Sequence, residues 1–326
     1  MSVDPLQKII LGSRGSELAR AQTAMVATAL RNAWTHLEIE VQIIRTSGDE
    51  KKGSASFQLA PWKETQAGRS RYLGRKGLFT GEIEHVLAAG EIDIAVHSAK
   101  DLPSDATPGL DVCGVLPRAA VDDVLIRKTP GGLAAFPRDG VVATGSVRRQ
   151  YQLRWKRPGI EVVDLRGNVP TRLRKLISNE WGAIVLARAG VERLGYDLSG
   201  GSFAFEGALL HVEILSRDEF LPAGGQGVIA LQVRNDDDKA KAMVEWVNDP
   251  ETLLCLRAER EFLRLLHGDC DSPVGVLGMI ERTALKLRAQ VFEPGQSVPR
   301  VGAVEGSVKD GAERLAAELM EQINGG

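Results

Sequence analysis

The chain has 326 residues, 43% of them hydrophobic and 26% charged, and its 41 basic and 43 acidic residues leave a net charge of −2. That length exceeds what one hydrophobic core usually serves and argues two or three domains. So balanced a charge excludes a global field that would gather nucleic acid or an acidic membrane, and any anion must be caught by local clusters of arginine.

The N-terminus, MSVDPLQKIILGSRGSE, lacks a basic start followed by an apolar signal core, and no stretch reaches the length of a transmembrane helix. Three cysteines do not make a disulfide framework, so a cytosolic, reduced protein is expected.

Periodicity predicts a strand over 8–12, a helix over 16–33 with Leu18, Ala21, Met25 and Ala29 on its apolar face, and a strand over 39–46. A helix over about 80–89 and a strand over 92–96 follow, and this βαβαβ order argues a largely parallel sheet with covering helices. Between them, residues 50–74 have weak periodicity and much Gly, Ser, Lys and Arg, the composition of a lid or a disordered loop. The middle repeats the logic, with strands over 123–127, 141–144, 161–165 and 183–187 and helices over 147–156, 169–178 and 188–194. After the glycine-rich LPAGGQG comes a strand over 227–233. The character then changes to helices over 238–247 and 251–266, strands near 274–281, 284–292 and 299–305, and a helix over 311–323. This is an α+β module after an α/β body.

Three groups of residues carry candidate chemistry. HSAKDLP (97–103) directly follows a strand, and open α/β sheets bind ligands at the carboxyl ends of their strands. His97, Lys100 and Asp101 therefore stand where chemistry is usually housed, although a solvated turn ended by Pro103 fits the same residues. Arg14, Arg148, Arg149, Arg166, Arg172, Arg188 and Arg193 all fall at strand–helix junctions, with Ser146 and Asn168 as N-caps of two of the helices. One such arginine reads as a solvated side chain. Several around one sheet read as forked donors for carboxylate or phosphate. Cys113 lies in VCGVL, which reads as a strand, and Cys255 shares an apolar helical face with Ala258, Phe262 and Leu266 and reads as buried. Cys270 lies in a polar turn after a helix, between Asp269 and Asp271, open to covalent chemistry or merely a surface thiol. His267 and Cys270 lack a second spaced pair of ligands, so no metal is expected. No Walker A, dinucleotide fingerprint or G-x-S-x-G elbow is present.

Taken in order, GSRGSELARAQ (12–22), TSGD (46–49), KGLFTGEIE (76–84), DIAVHSAKDLP (93–103), GSVRRQYQL (145–153), RGNVPTRLRKL (166–176), LARAGVERLG (186–195), PAGGQG (222–227) and AEREFLRLLHGDC (258–270) resemble the hydroxymethylbilane synthases, or porphobilinogen deaminases. The resemblance implies two periplasmic-binding-protein-like α/β domains, 1–117 with 217–235 and 118–216, flanking a cleft. A C-terminal α+β domain, 236–326, carries the cofactor cysteine. It implies a dipyrromethane cofactor linked by a thioether to Cys270. Four porphobilinogens are added to it in turn, each losing ammonia, before water releases hydroxymethylbilane. Each unit brings an acetate and a propionate. Lys100, Ser146, Arg148, Arg149 and Arg172, with Asp101, match positions that hold the cofactor. Arg14, Arg149, Arg166, Arg193 and Lys76 match positions that hold substrate. Asp101 matches the catalytic carboxylate, which steadies positive charge on ring nitrogens and helps move protons. Two departures stand out: Gly268–Asp269 replaces the two glycines common before the cysteine, and the stretch from Asp49 to Lys76 is longer than usual by about a dozen residues. The resemblance also implies a monomer in tetrapyrrole synthesis. The rival reading is a non-catalytic module for a small carboxylate, which would need neither Cys270 nor Asp101; a relative that holds a pyrrole without turning it over would not keep both.

Overall fold

The computed structural model describes residues 8–45, 77–267, 272–293, 295–296 and 298–325. Cys270, Lys76 and the loop 50–74 lie outside the described residues.

The first sheet is built from β1 (Lys8–Arg14), β2 (Glu38–Ile44), β3 (Ile94–Ser98) and β4 (Leu110–Val115), with helices α1 (Glu17–Ala33) and α2 (Gly77–Ala88) between its early strands. The chain then leaves and builds a second sheet: β5 (Asp123–Arg127), β6 (Val141–Ala143), β7 (Glu161–Val163), β8 (Ala183–Ala187), β9 (Ser202–Phe205) and β10 (Ala208–Ile214). Helices α3 (Val147–Lys156), α4 (Val169–Ser178) and α5 (Arg188–Glu192) connect them. It returns as β11 (Ile229–Arg234), which inserts between β3 and β4 to give the order β2-β1-β3-β11-β4. β1 pairs in parallel with β2 and β3, as the βαβαβ order requires, whereas β11 runs antiparallel to both its neighbours because it arrives from the other sheet. The chain thus crosses twice between two α/β sheets, the architecture that the resemblance implied.

The second sheet has the order β7-β6-β8-β5-β10-β9. Its β9–β10 hairpin escapes the sequence reading. A two-residue turn at Glu206 and Gly207, with φ of 47° and 84°, joins the strands. Positive φ at both positions is what a tight hairpin with right-handed twist demands.

Helix α1 corrects the predicted face. Met25 is 44% exposed, and the buried stripe is Gln22, Thr23, Val26, Ala27 and Leu30. Two of those are polar and hide the stripe from a hydrophobic pattern. They are buried with partners, Thr23 Oγ1 donating to Ser13 Oγ at 2.7 Å and Gln22 Oε1 accepting from Ser98 Oγ at 3.0 Å.

Helix α6 (Asp238–Glu245) sends Ala240, Met243 and Val244 into the core under β1, β3 and β11. It packs on the first sheet, although the expected boundary at 236 grouped it with the C-terminal module. That module holds α7 (Pro250–Leu265), the antiparallel sheet β12 (Val274–Glu281), β13 (Ala284–Val291) and β14 (Arg300–Ser307), and α8 (Ala312–Gly325) around a core of its own.

Candidate active site

The site begins where β3 ends. After Ser98 the chain tightens into one 3₁₀ turn, Ala99–Asp101, which lifts Lys100 and Asp101 off the carboxyl edge of the first sheet. The turn is braced from below by the glycine loop at 222–227. Gly225 has φ +73°, and a Cβ there would come within 2.9 Å of the backbone nitrogen of Lys100. Glycine is needed at this position for both conformation and space. Beside the turn a cavity of about 70 Å³ is lined by Arg14, Ser16, Gln22, Thr80, His97 and Asp101.

The facing wall belongs to the second sheet. Ser146 stands at the N-cap position of α3 but makes no side-chain cap; its backbone N–H donates to Thr144 Oγ1 at 3.4 Å. Arg148 and Arg149, in the first turn, are buried and grip one carboxylate. Arg149 Nη2 donates to Asp123 Oδ1 at 2.7 Å, and Arg148 Nη1 forms an ion pair with Asp123 Oδ2 at 2.8 Å. Backbone carbonyls accept from one nitrogen of each fork, Leu221 from Arg148 Nη1 and Val185 from Arg149 Nη1. Burial alone would push the Asp123 carboxyl up; the two guanidiniums outweigh it and hold it well below the usual carboxylate range.

Electrostatics shows that the walls face each other. The proton of Lys100 is pushed down to about 8, first by burial and then by the charge of Arg149, with Asp101 and Asp123 opposing. Arg172 on α4 is lowered to about 10, by burial and then by Arg149 and Arg166, with Asp101 and Asp164 opposing. Lys100, Arg148, Arg149, Arg166 and Arg172 thus share a field with Asp101, Asp123 and Asp164, and cations outnumber carboxylates.

The remaining arginines differ. Arg193 is half-buried beside the returning crossover, donates to the Gly227 carbonyl at 2.7 Å, and is lowered to about 10 by burial. Arg166 is exposed and paired with Asp164 at 2.7 Å, at the rim of the cluster. Arg188 pairs with Glu192 at 2.7 Å, a helix contact that needs no ligand. Burial pushes the thiols of Cys113 and Cys255 up to about 11 and about 12, so neither is a nucleophile near neutral pH. Among the described residues no group of His, Cys, Asp or Glu could hold a metal ion.

Sequence reasoning missed Asp123 and Gln226. The amide of Gln226 donates to Asp123 Oδ1 at 2.8 Å and to the Val121 carbonyl at 2.7 Å, adding a neutral donor to the same oxygen that Arg149 meets. An acid opening the buried strand DVLIR was the available signal, because a buried charge must have a partner.

Two family models match the chain: "Porphobilinogen deaminase, dipyromethane cofactor binding domain" over residues 9–242 and "Porphobilinogen deaminase, C-terminal domain" over 253–325. The chain belongs to the porphobilinogen deaminase family. It is 40% identical over 319 residues to the porphobilinogen deaminase of Roseiflexus sp. (strain RS-1), covering 97% of each chain. It is likewise 40% identical over 317 residues to that of Moorella thermoacetica, covering 97% of this chain and 93% of the relative. Among solved structures it is similar to the methionine binding protein MetQ, with a TM-score of 0.43 and 13% identity over 76% of this chain and 92% of that one. Family membership makes the protein a transferase, and the non-catalytic carboxylate module is not favoured, since the match runs on through the C-terminal domain.

The residues present fit the family's dipyrromethane. Arg148, Arg149 and Arg193 each bury an Nε–H with no hydrogen-bond partner among the described residues. Surplus buried cations with unspent donors suit a ligand that carries several carboxylates. Among the described residues no helix is long and apolar enough to cross a membrane.

Proposed function

We propose that this protein builds hydroxymethylbilane from four porphobilinogens in the cleft between its two α/β sheets, with Asp101 as the catalytic carboxylate. The observation that carries the reading is the juxtaposition of Lys100 and Asp101 on one wall with the over-supplied cations Arg148, Arg149 and Arg172 on the other. When bound, the dipyrromethane supplies the pyrrole end on which the chain grows, anchored by a thioether at Cys270.

Each residue then has a task set by its surroundings. Arg148, Arg149, Arg172 and Lys100, with Ser146, hold the cofactor's carboxylates. Because Arg148 and Arg149 are already pinned by Asp123, they present fixed donors and lose little freedom on binding. Arg14, Arg149, Arg166, Arg193 and Lys76 receive the carboxylates of incoming substrate. Asp101 accepts from ring N–H groups, steadies the positive charge that develops on them, and carries the proton away. Its carboxylate lines the cavity with Arg14, so substrate can meet a cation at one end and an anion at the other. The reading extends to a monomer working in a reducing cytoplasm, in keeping with the unpaired thiols of Cys113 and Cys255.

Intact mass with peptide mapping tests the cofactor: the Cys270 peptide is expected to carry two linked pyrrole units. A preparation to which nothing attaches even after incubation with porphobilinogen would return the carboxylate-binding reading. For Asp101→Asn the cofactor adduct and the fold are expected to persist while turnover falls roughly 10²- to 10³-fold, the scale of one misplaced transition-state charge contact. Near-normal turnover removes Asp101 from its role.

A further inference from the structure

Beside Asp101 the cavity wall includes a second functional group, His97, which is only 4% exposed and lies at the end of β3. Its Nε2 is 3.0 Å from Gln232 Oε1 on β11. The amide nitrogen of Gln232 donates to Glu84 Oε1 on α2 at 2.8 Å, and the other oxygen of Glu84 accepts from Thr107 Oγ1 at 2.9 Å. This chain of side chains determines a proton position. A carboxylate only accepts, so Gln232 must turn its NH₂ to Glu84 and its carbonyl to His97. A carbonyl also only accepts, so His97 Nε2 must carry the hydrogen, and in a neutral imidazole Nδ1 is then a bare lone pair. Neutrality follows from the surroundings. Burial pushes the imidazole down to about 4, the Gln232 contact and Asp101 pull the other way, and Arg14 and Arg260 add to the burial.

We propose that Glu84 and Gln232 are positioning residues that lock His97 as the Nε2–H tautomer, so that Nδ1 offers a fixed neutral acceptor to the cavity, where it takes a hydrogen bond from the aminomethyl N–H of the incoming substrate. The inference rests on reading this cavity as the place of pyrrole coupling. Arg14 there suits the substrate's carboxylate and Asp101 its ring N–H, and His97 adds a neutral ring to the same wall for the amine to be lost. A neutral acceptor orients that amine without pairing with it as an ion, and His97 itself takes up no proton.

Two measurements on the holoenzyme decide the matter. The amide of asparagine overlays Nδ1 of histidine and that of glutamine overlays Nε2. His97→Asn is therefore expected to keep turnover within about 10-fold of wild type, and His97→Gln to lose about 100-fold with KM little changed. The reverse order would mean that His97 serves only its contact with Gln232, and overturns the proposal. Second, ¹⁵N spectra of histidine-labelled enzyme should show His97 wholly as the Nε2–H form. In Glu84→Gln, an isosteric change that frees the Gln232 amide to flip, both tautomers should appear and kcat should fall about 10-fold at nearly constant KM. An Nδ1–H tautomer in wild type, or an unmoved tautomer or kcat in Glu84→Gln, sinks the idea, and the wild-type spectrum decides even if a variant fails to fold. Should wild-type holoenzyme make no tetrapyrrole from porphobilinogen, the functional reading has failed, and the spectra still report the lock.

Discussion

Two buried arginine clusters in this protein look alike and do opposite work. At the junction of the three sheets, Glu259 on α7 is 0% exposed and has both oxygens filled. Oε1 accepts from Arg118 Nη1 at 2.6 Å and from the Gly278 N–H at 2.7 Å, and Oε2 accepts from Arg118 Nη2 at 3.2 Å and from the Gly225 N–H at 2.7 Å. Arg118 spends its Nε on the Gln226 carbonyl at 3.0 Å. One cation meets one carboxylate, and nothing is left over. In the cleft, Asp123 meets two guanidiniums, each with a buried Nε–H unspent among the described residues. The balanced cluster ties the crossing strands to the C-terminal module. The unbalanced one carries a net positive charge, which suits the anionic ligand proposed for it.

The comparison can be broken at either end. The largest effect is expected for Glu259→Ala, which strands Arg118 without its carboxylate and should lower stability by about 3–5 kcal/mol. Chemical denaturation of the holoenzyme checks it, and an unmoved midpoint would make the junction ornamental. Arg149→Leu comes next and should act in the other currency. Arg148 still neutralises Asp123, so the fold should suffer less. Loading of cofactor onto the apo-protein should weaken by about 1.5–3 kcal/mol, the worth of one charged hydrogen bond. If loading holds and the denaturation midpoint collapses, the roles of the two clusters are reversed.

A pH test sharpens the point. Lys100 holds its proton less tightly in the folded protein, where burial brings it to about 8, than in an unfolded chain. A lysine lowered in this way burdens the folded state fully below pH 8, and the burden lifts as pH rises from about 8 toward the ordinary lysine value. Carboxylates reverse that preference. Cofactor loading near pH 8.5 should therefore take up protons and weaken as pH climbs, which calorimetry in two buffers of different ionisation enthalpy would detect. Absence of proton uptake there would separate Lys100 from the cofactor. The smallest effect belongs to Arg166→Ala. Its pair with Asp164 is exposed, so stability should change by less than about 1 kcal/mol, and any loss should appear in KM for porphobilinogen.

Much of this was legible before any fold was known. Strand β5, helices α3 and α4 and strand β8 occupy the residues that periodicity and caps assign them, because each is a local pattern: an apolar run, or Asn168 accepting from the Thr171 N–H ahead of an amphipathic turn. The arginines gather at strand–helix junctions, and that too can be read along the chain, as can the family's ordered motifs. Most of what failed had causes that are not local. The buried stripe of α1 runs through Gln22 and Thr23, whose hydrogen bonds reach β1 and β3. The β9–β10 hairpin hangs on two positive φ values. Helix α6 chose the first sheet over the module that follows it in sequence.

The sequence by itself determined which residue types stand where along the chain: Asp101 just past a strand, arginines at strand–helix junctions, and Cys270 between two aspartates. Tertiary structure decided which of those charges are balanced and which are spare. Asp123 meets Gln226 across 103 residues and Arg118 meets Glu259 across 141, and no local pattern announces such partners. The reason is physical. A side chain's type and spacing follow from the chain alone, but its proton, its orientation and its unspent hydrogen bonds depend on what distant segments bring within 3 Å of it once water has been excluded.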